Sequence, residues 1–249
     1  MALTPAEAIE FFHLTLLQVM PGHLKSGRYI LKSGANLRFF FGSVRYSEGI
    51  DFDVTNVDQW RLRDALNEAL AAKKLAILLR PRGVSVEEVA ESKQTETTQR
   101  WKVGLRIPSQ DALVRTKVEF SRRNGEQRYQ LEAVASHVVE PYAIVPPTVN
   151  RYLPAAAVEQ KIAALALRNE TQARDVFDLD LLLRQDRSLS AGSPEPLREQ
   201  AAELALSLPF SVFQDQVLPF LDPEVADIYD RAAWSQIVEF VAGTLWGPR

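Results

Sequence analysis

Two carboxylates in the segment IDFDV, Asp51 and Asp53, are the residues whose types and spacing point most directly to chemistry. Residues two apart on a β-strand share one face, so both would project together while the apolar residues beside them face the core. Paired carboxylates repel each other unless a cation neutralises them, and Mg²⁺ prefers oxygen ligands of this kind. The alternative is that the pair is only the solvated face of a half-buried strand.

Neighbouring segments could complete such a site. Glu119 lies on the polar face of another alternating segment, TKVEF, and would supply a third carboxylate. Upstream, Ser33 and Gly34 form a small-residue turn ahead of a helical segment, where backbone N–H groups can bind a phosphate. Two-metal nucleotidyl transfer uses this combination, with one ion activating the attacking oxygen and both stabilising the phosphorus centre. A plain helix start is the alternative for the turn.

A second cluster lies in the C-terminal half of the chain. Lys161 and Arg168 are seven apart and share a helix face, and Asp175 and Asp178 share a face of the next predicted helix. A lysine in this place could hold a triphosphate as a point charge, with Asp175 orienting its ammonium group. Charges beside an apolar stripe also commonly mark only its boundary with solvent.

Basic residues alternate along two predicted strands and reach the turn that follows them. They are Arg100, Lys102, Arg106, Arg115, Lys117, Arg122 and Arg123. The stripe is typical either of a solvated sheet face or of a surface that follows a phosphate backbone. Both interpretations stay open on the sequence alone.

Periodicity predicts the elements that must position these residues. Thr4, Pro5 and Glu7 form a helix start with a capping box, and a short helix is expected over ANLRFFF. IDFDV alternates as a strand, and VDQWRLRDALNEALAAKK shows a helical stripe that includes Trp60. LAILLRP is predicted to be a strand.

Two further segments, RWKVGLRIP and ALVRTKVEF, alternate strictly and predict strands. The dipeptide Asn124-Gly125 then predicts a hairpin turn into RYQLEAV. From Arg151 onward only helices are predicted, and Pro146-Pro147 marks the boundary. The sequence therefore predicts an α+β domain with a mixed sheet and flanking helices over residues 1–148, followed by a helical bundle over 149–249.

Composition restricts the class of protein. With 249 residues, 46% apolar and 24% charged, the chain falls in the ordinary globular range, and a net charge of −3 excludes a polycation. It contains no cysteine, which excludes disulfides and thiolate metal sites, and its three histidines are scattered and expected to be structural or exposed. We expect a soluble cytoplasmic protein without a membrane segment, and a monomer because no apolar heptad run is present.

Taken together, three segments resemble the AbiEii-type nucleotidyltransferases, the toxin components of bacterial abortive-infection and toxin–antitoxin systems, to which the MenT toxins are related. The segments are LKSGANLRFFFGSVRYSEGIDFDV, TKVEF and EQKIAALALRNETQARDVFDLDLLL. Family members show a Gly-Gly-Thr turn, matched here by Ser33-Gly34-Ala35, and an Arg-x-Ser segment, matched by Arg45-Tyr46-Ser47. Lys161 matches a helical lysine, and Arg174, Asp175 and Asp178 match an Arg-Asp-x-x-Asp run.

The resemblance implies a DNA polymerase β-like minimal nucleotidyltransferase fold with a C-terminal helical domain. It implies transfer of a nucleoside monophosphate from an NTP to an acceptor with Mg²⁺, the acceptor being the tRNA 3′ end in the MenT relatives, and an antitoxin as partner. On this scheme Asp51 holds Mg²⁺ with Asp53 and Glu119 as further ligands. The remaining roles are triphosphate contacts, assigned to Ser33, Gly34, Arg45, Ser47 and Lys161, and the positioning of Lys161 or the base by Asp175.

One departure from the family pattern bears directly on function. The first metal-binding aspartate of the family falls on Gly49, which supplies no ligand, and the turn reads Ser-Gly-Ala in place of Gly-Gly-Thr. An active nucleotidyltransferase toxin is therefore one hypothesis. A catalytically degenerate relative that binds nucleotide, RNA or a partner is the second, and an enzyme that modifies a small molecule such as an antibiotic is the third.

Overall fold

The structure is a computed structural model that describes residues 2–122 and 128–247. By its internal contacts the chain divides into two compact units. The first, called here the sheet unit, comprises Met1–Phe40 and Tyr46–Tyr152. The second, called the helical unit, comprises Phe41–Arg45 and Leu153–Arg249. The predicted division after residue 148 falls at the start of a strand that runs on to Tyr152, so Arg151 belongs to a strand and not to a helix.

The sheet unit contains a seven-stranded mixed sheet with the order β3-β4-β5-β2-β1-β7-β6. Its strands are β1 Tyr29–Lys32, β2 Gly49–Val54, β3 Ser85–Gln94, β4 Thr98–Ile107, β5 Gln110–Ser121, β6 Tyr129–Ala133 and β7 Thr148–Tyr152. Its helices are α1 Pro5–Val19, α2 Ser33–Phe40, α3 Gln59–Ala71, α4 Lys73–Leu79 and α5 Ser136–Val139. The pairs β1–β7 and β2–β5 are parallel, and the other neighbouring pairs are antiparallel.

Alternation along β4 and β5 explains why the sheet has one buried face. Trp101, Val103 and Leu105 of β4 are buried, and Val118 and Phe120 of β5 join them in the same core. Helix α1 begins with the predicted capping box, because the hydroxyl of Thr4 accepts from the N–H of Glu7 and the Glu7 carboxylate accepts from the N–H of Thr4. These two strand predictions and this helix start are confirmed.

The segment LAILLRP is not a strand, and that prediction is wrong. It forms helix α4, followed by a 3₁₀ turn at Arg80–Arg82. Leu75 and Leu79, one helical turn apart, are buried, whereas Ile77 between them is 67% exposed. A continuous apolar run does not distinguish a strand from a helix, so the burial pattern and not composition decides. Trp60, placed in the buried stripe of α3, is also exposed.

The predicted hairpin from β5 into β6 is also wrong. Asn124 and Gly125 lie outside the described residues, but β6 pairs with β7 at the far edge of the sheet. Both edges of β5 are already used, one by β4 and the other by β2. The strand that follows β5 in the sequence, β6, therefore pairs with β7 and not with β5.

The helical unit consists of α6 Pro154–Leu167, α7 Ala173–Gln185, α8 Glu195–Leu206, α9 Phe210–Gln216, α10 Pro223–Ala226 and α11 Arg231–Trp246. The apolar stripe of α6, formed by Val158, Ile162 and Leu165, is fully buried. The segment SLSAGSPEP contains most of a 3₁₀ helix at Arg187–Gly192 ahead of α8. A mixed sheet with flanking helices followed by a helical bundle confirms the predicted α+β class. Among the described residues, no helix is long and apolar enough to cross a membrane.

Candidate functional site

The sheet unit places Asp51 in the middle of the sheet, on strand β2 between β1 and β5. Register pairs it with Lys32 of the antiparallel β1 and with Glu119 of the parallel β5. Asp51 and Glu119 are each partly exposed, on the sheet face opposite the apolar core. Glu119, predicted as a third carboxylate on another strand, therefore lies on the strand adjacent to Asp51.

Lys117 supplies the cation at this carboxylate pair. Its ammonium Nζ lies 3.2 Å from Oδ1 of Asp51 and 3.9 Å from Oε2 of Glu119. Glu119 is also paired with Arg100 of β4, whose Nε lies 2.5 Å from the same Oε2. Two carboxylates and two basic groups thus form one cluster, called here the surface cluster, without net charge.

Gly49 is the position that allows Lys117 to reach Asp51. Register places Gly49 directly beside Lys117 across β2 and β5. A Cβ atom added at Gly49 would overlap Cγ of Lys117 and would lie 2.9 Å from both its Cε and its backbone oxygen. The lysine stem therefore fills the space that a side chain at this position would need.

Asp53 is held inside the unit. Its side chain is 2% exposed, its Oδ1 lies 2.5 Å from Nζ of Lys32, and its Oδ2 accepts a 2.7 Å hydrogen bond from the hydroxyl of Tyr152. Both oxygens already have protein partners, so this predicted ligand is not open to a metal. Within the described residues, no group of three histidine, cysteine or acidic side chains has an arrangement that could hold a metal ion. The predicted set of Asp51, Asp53 and Glu119 is thus not assembled as a metal site.

The turn before α2 has an unusual backbone. Ser33, its first residue, has φ of +59°, in the left-handed region that a residue with a side chain rarely adopts. Gly34 follows and is buried. Because Lys32 is the register partner of Asp51, this helix start lies next to the acidic face of β2. Strained backbone of this kind is concentrated at ligand-binding turns.

A buried histidine, unassigned by the sequence beyond a structural role, supports the start of β2. Nε2 of His13 on α1 lies 2.9 Å from the hydroxyl of Thr116, and that hydroxyl donates to the carbonyl of Glu48 at 2.8 Å. Because the hydroxyl proton is used there, Nε2 of His13 donates its hydrogen bond to Thr116. Burial lowers the pKa of His13 to about 3, with Asp51 opposing and Lys117 reinforcing the shift. Ser47 donates to the carbonyl of Gly49 at 2.7 Å.

The helical unit contains a second cluster, called here the buried network. Arg45 donates to both oxygens of Asp178, at 3.0 and 2.9 Å through Nη2. Nζ of Lys161 lies 2.8 Å from Asp175 and 2.5 Å from Asp178, and exposed Arg168 lies 3.1 Å from Asp175. The predicted neighbours Lys161 and Asp175 are thus in contact, and Arg45 is bound to a carboxylate within its own unit.

The pKa values of this network follow from burial and charge. Burial alone would lower the pKa of Lys161, but Asp175 and Asp178 outweigh it and raise that pKa above its usual value. Burial would raise the pKa of Asp178, but Arg45 and Lys161 outweigh it and hold that pKa below its usual value. Lys161 and Asp178 are therefore charged at neutral pH.

Local sequence patterns did not reveal the ion-pair and hydrogen-bond partners that decide whether each predicted side chain is open to a ligand. Lys32, Tyr152 and Lys117 were not assigned to the site, although Lys117 was noted in the basic stripe. Its contact with Asp51 depends on the parallel register of β2 and β5, which no short segment encodes. The one available signal was the missing side chain at Gly49.

Comparisons with known proteins agree on the class. The sequence model of a family described as "Nucleotidyl transferase AbiEii toxin, Type IV TA system" matches residues 16–243. No match is found among curated proteins.

Solved structures share the fold. JHP933 from Helicobacter pylori aligns with a TM-score of 0.64 at 16% identity, covering 99% of this chain and 94% of that one. MenT4, a nucleotidyltransferase toxin from Mycobacterium tuberculosis H37Rv, aligns with a TM-score of 0.61 at 19% identity, covering 98% and 85%. Identities this low show similarity of fold.

Proposed function

This chain belongs to the AbiEii family of nucleotidyl transferase toxins of type IV toxin–antitoxin systems, and we propose that it binds a nucleoside triphosphate and transfers the nucleoside monophosphate to an acceptor hydroxyl. The acceptor that we propose is an RNA 3′ end, such as that of tRNA. Nucleotidyl transfer breaks the bond between the α- and β-phosphates, and pyrophosphate leaves as the acceptor oxygen bonds to the α-phosphorus.

The observation that carries this proposal is the helix start at Ser33 beside the acidic face of β2. The first N–H groups of a helix have no partner within the helix and attract anions, so the N-terminus of α2 suits a phosphate group. Ser33, in the left-handed region, begins this turn, and Gly34 beside it is buried. Asp51 lies on the adjoining strand and is partly exposed, which makes it the acidic group available to an acceptor hydroxyl.

The RNA acceptor is supported by charge on the same sheet. Lys102 and Arg106 are exposed on β4, on the side opposite its buried residues. Arg115 of β5 is exposed as well and pairs with Glu88. A row of basic side chains at strand spacing can follow the phosphates of a single strand.

The roles of the buried residues differ from those that the family pattern implies. Lys161 and Arg45 are neutralised by Asp175 and Asp178 within the helical unit, so we propose that they hold α6, α7 and the segment Phe41–Arg45 together. The divalent ion that the family implies does not fit the carboxylates of the sheet unit, because Asp53 is enclosed and Lys117 already neutralises Asp51. The proposed roles are therefore those of the protein residues alone.

Transfer is tested with an α-labelled NTP and a panel of RNA and small-molecule acceptors, including aminoglycosides. Wild type is expected to label an RNA 3′ end, and Asp51→Asn to reduce labelling by about 10²-fold or more, as loss of a general base at the acceptor hydroxyl does. Asp111→Asn, at an exposed position of β5, is the matched control. Labelling that Asp51→Asn leaves unchanged would contradict the assignment, and labelling of a small molecule alone would contradict the acceptor.

A second candidate function is supported by the contact between Gly49 and Lys117. A chain that lacks one family carboxylate and neutralises the next has the features of a binding module that retains nucleotide affinity without transfer. Fluorescent NTP binding measured beside the transfer assay separates the two. Binding that is abolished by Ser33→Pro, with no labelled product from any acceptor, would favour the binding module.

The cellular setting is also a proposal. We propose an antitoxin encoded beside this chain as its protein partner, a cytoplasmic location and a monomeric state. Expression with and without the neighbouring reading frame tests the first, because growth arrest relieved by that frame identifies an antitoxin. Light scattering of the purified chain tests the last.

A further inference from the structure

We infer that the ammonium group of Lys117 takes the place of a divalent cation at Asp51 and Glu119, so that this acidic pair is neutralised by the protein itself. The inference concerns the sheet unit alone and holds for either candidate function. Its observations are the contacts of Lys117, the missing side chain at Gly49 and the enclosure of Asp53.

The ammonium group of Lys117 lies close to both carboxylates. Asp51 and Glu119 are register partners on parallel strands, and the ammonium of Lys117 lies 3.2 Å from one carboxylate and 3.9 Å from the other. Adjacent carboxylates of this kind repel each other, and a positive charge close to both offsets that repulsion. The lysine supplies that charge from the same sheet face, where an ion would otherwise be drawn from solution.

The charges of the surface cluster balance without an added ion. Asp51 and Glu119 contribute two negative charges, and Lys117 and Arg100 contribute two positive charges. A divalent ion binding at Asp51 would meet the ammonium group at close range, and like charges at such distances repel strongly. Asp53 offers no substitute ligand, because Lys32 and Tyr152 hold both of its oxygens.

Lys117 also fills the space beside Gly49. The stem of Lys117 runs across Gly49, and any side chain added there would collide with it. Gly49 and Lys117 are therefore coupled, since the absence of a side chain at one position creates the path of the other. Replacing Gly49 by aspartate alone cannot restore a metal site, because Lys117 and its own backbone oxygen occupy the room that the new side chain needs.

Mn²⁺ binding to the full chain, followed by electron paramagnetic resonance, tests this inference without any transfer assay. We expect wild type and Asp51→Asn to bind Mn²⁺ equally weakly. Lys117→Glu places a third carboxylate beside Asp51 and Glu119, and we expect it to bind Mn²⁺ at least tenfold more tightly than wild type. Adding Asp51→Asn to Lys117→Glu should remove that gain.

The control for the change in charge is Lys73→Glu, at an exposed position of α4, which should leave Mn²⁺ binding at the wild-type level. Circular dichroism verifies folding, and if Lys117→Glu fails to fold, Lys117→Met takes its place with a smaller expected gain. Wild-type Mn²⁺ binding that is lost in Asp51→Asn would overturn the inference, because it would mean that the metal displaces Lys117. A gain in Lys73→Glu equal to that in Lys117→Glu would overturn it as well. The Mn²⁺ binding assay contains neither nucleotide nor acceptor. Its failure would therefore not contradict the transfer proposal, which the labelling assay tests separately.

Discussion

Both units pair one lysine with two carboxylates, yet water reaches the two lysines to different extents. In the helical unit the side chains of Lys161, Asp175 and Asp178 are 10%, 1% and 0% exposed. In the sheet unit the side chains of Lys117 and Asp51 are 33% and 18% exposed. The same chemical groups therefore form a buried network in one place and a surface cluster in the other.

The difference shows which charges are available to a ligand. A buried charge that loses its partner has no water to replace it, so breaking the buried network is expected to cost several kcal/mol of stability. A partly exposed pair is solvated on one side and can exchange a partner at low cost. The family pattern marks residues in both clusters, but only the surface cluster can change its partners during function.

The largest effect is expected from Lys161→Met. This change removes the cation that contacts both Asp175 and Asp178 and leaves them with Arg45 and the exposed Arg168 as partners. Removing one member of a buried ion pair costs about 3–5 kcal/mol. Urea denaturation followed by circular dichroism measures the loss. Lys93→Met, at an exposed position of β3, is the control and should change stability by less than about 0.5 kcal/mol. An equally small loss of stability for Lys161→Met would contradict the view that the buried network contributes more to stability than the surface cluster.

The pH dependence of this loss has a defined sign. The raised pKa of Lys161 stabilises the fold at all pH values below its usual 10.5, and that contribution is lost as pH rises through the folded value. The lowered pKa of Asp178 stabilises the fold above its usual 3.8, and that contribution is lost as pH falls through the folded value. The difference between wild type and Lys161→Met should therefore be constant from about pH 5 to 9.

A second prediction concerns His13, which lies beneath the surface cluster. Its pKa is about 3 in the folded chain and 6.5 in the unfolded chain. Between these pH values His13 is therefore protonated in the unfolded chain and neutral in the folded chain. Stability from this group is complete above pH 6.5 and falls by about 1.4 kcal/mol per pH unit below it, or about 3 kcal/mol by pH 4.5. Denaturation at several pH values should show this slope in wild type and in the control, exposed His137→Gln, but not in His13→Gln. A slope retained in His13→Gln would assign it to another group.

A third prediction uses Gly49. Gly49→Ala forces Lys117 and the adjoining strand to move, and overpacking of this kind costs about 1–3 kcal/mol. Gly243→Ala in α11 meets no atom within 4 Å and should stabilise the chain by up to about 1 kcal/mol, because alanine is the better helix former. Thermal unfolding of the two variants compares them directly. Equal stability of Gly49→Ala and wild type would show that Lys117 moves aside freely.

Local periodicity was sufficient to predict much of the fold. β4 and β5 have one apolar face, so alternation alone located them, and the capping residues of α1 located its start. LAILLRP failed because a run that is apolar throughout contains no period to read. The partner of β6 failed because strand order depends on which sheet edges are already occupied.

The candidate site was predictable in residue type but not in state. Glu119 was expected to supply a carboxylate near Asp51, and Asp175 was expected beside Lys161, and both pairs are close. Whether a carboxylate is open or enclosed depends on residues far away in sequence, such as Lys32 and Tyr152 for Asp53. Ion pairs formed across strands therefore need the tertiary structure.

The smallest effect is expected from Lys117→Met. Lys117 and Asp51 are partly exposed, and ion pairs of this kind contribute about 0–1 kcal/mol, so the stability loss should stay below about 1 kcal/mol. Because solvent ions screen exposed pairs, the loss should shrink further between 0.05 and 1 M NaCl, whereas that of Lys161→Met should not. A double-mutant cycle of Lys117→Met with Asp51→Asn, measured by urea denaturation at both salt concentrations, isolates the coupling of the pair. Coupling above about 2 kcal/mol that resists salt would place Lys117 with the buried residues, and the surface cluster would then be as fixed as the buried network.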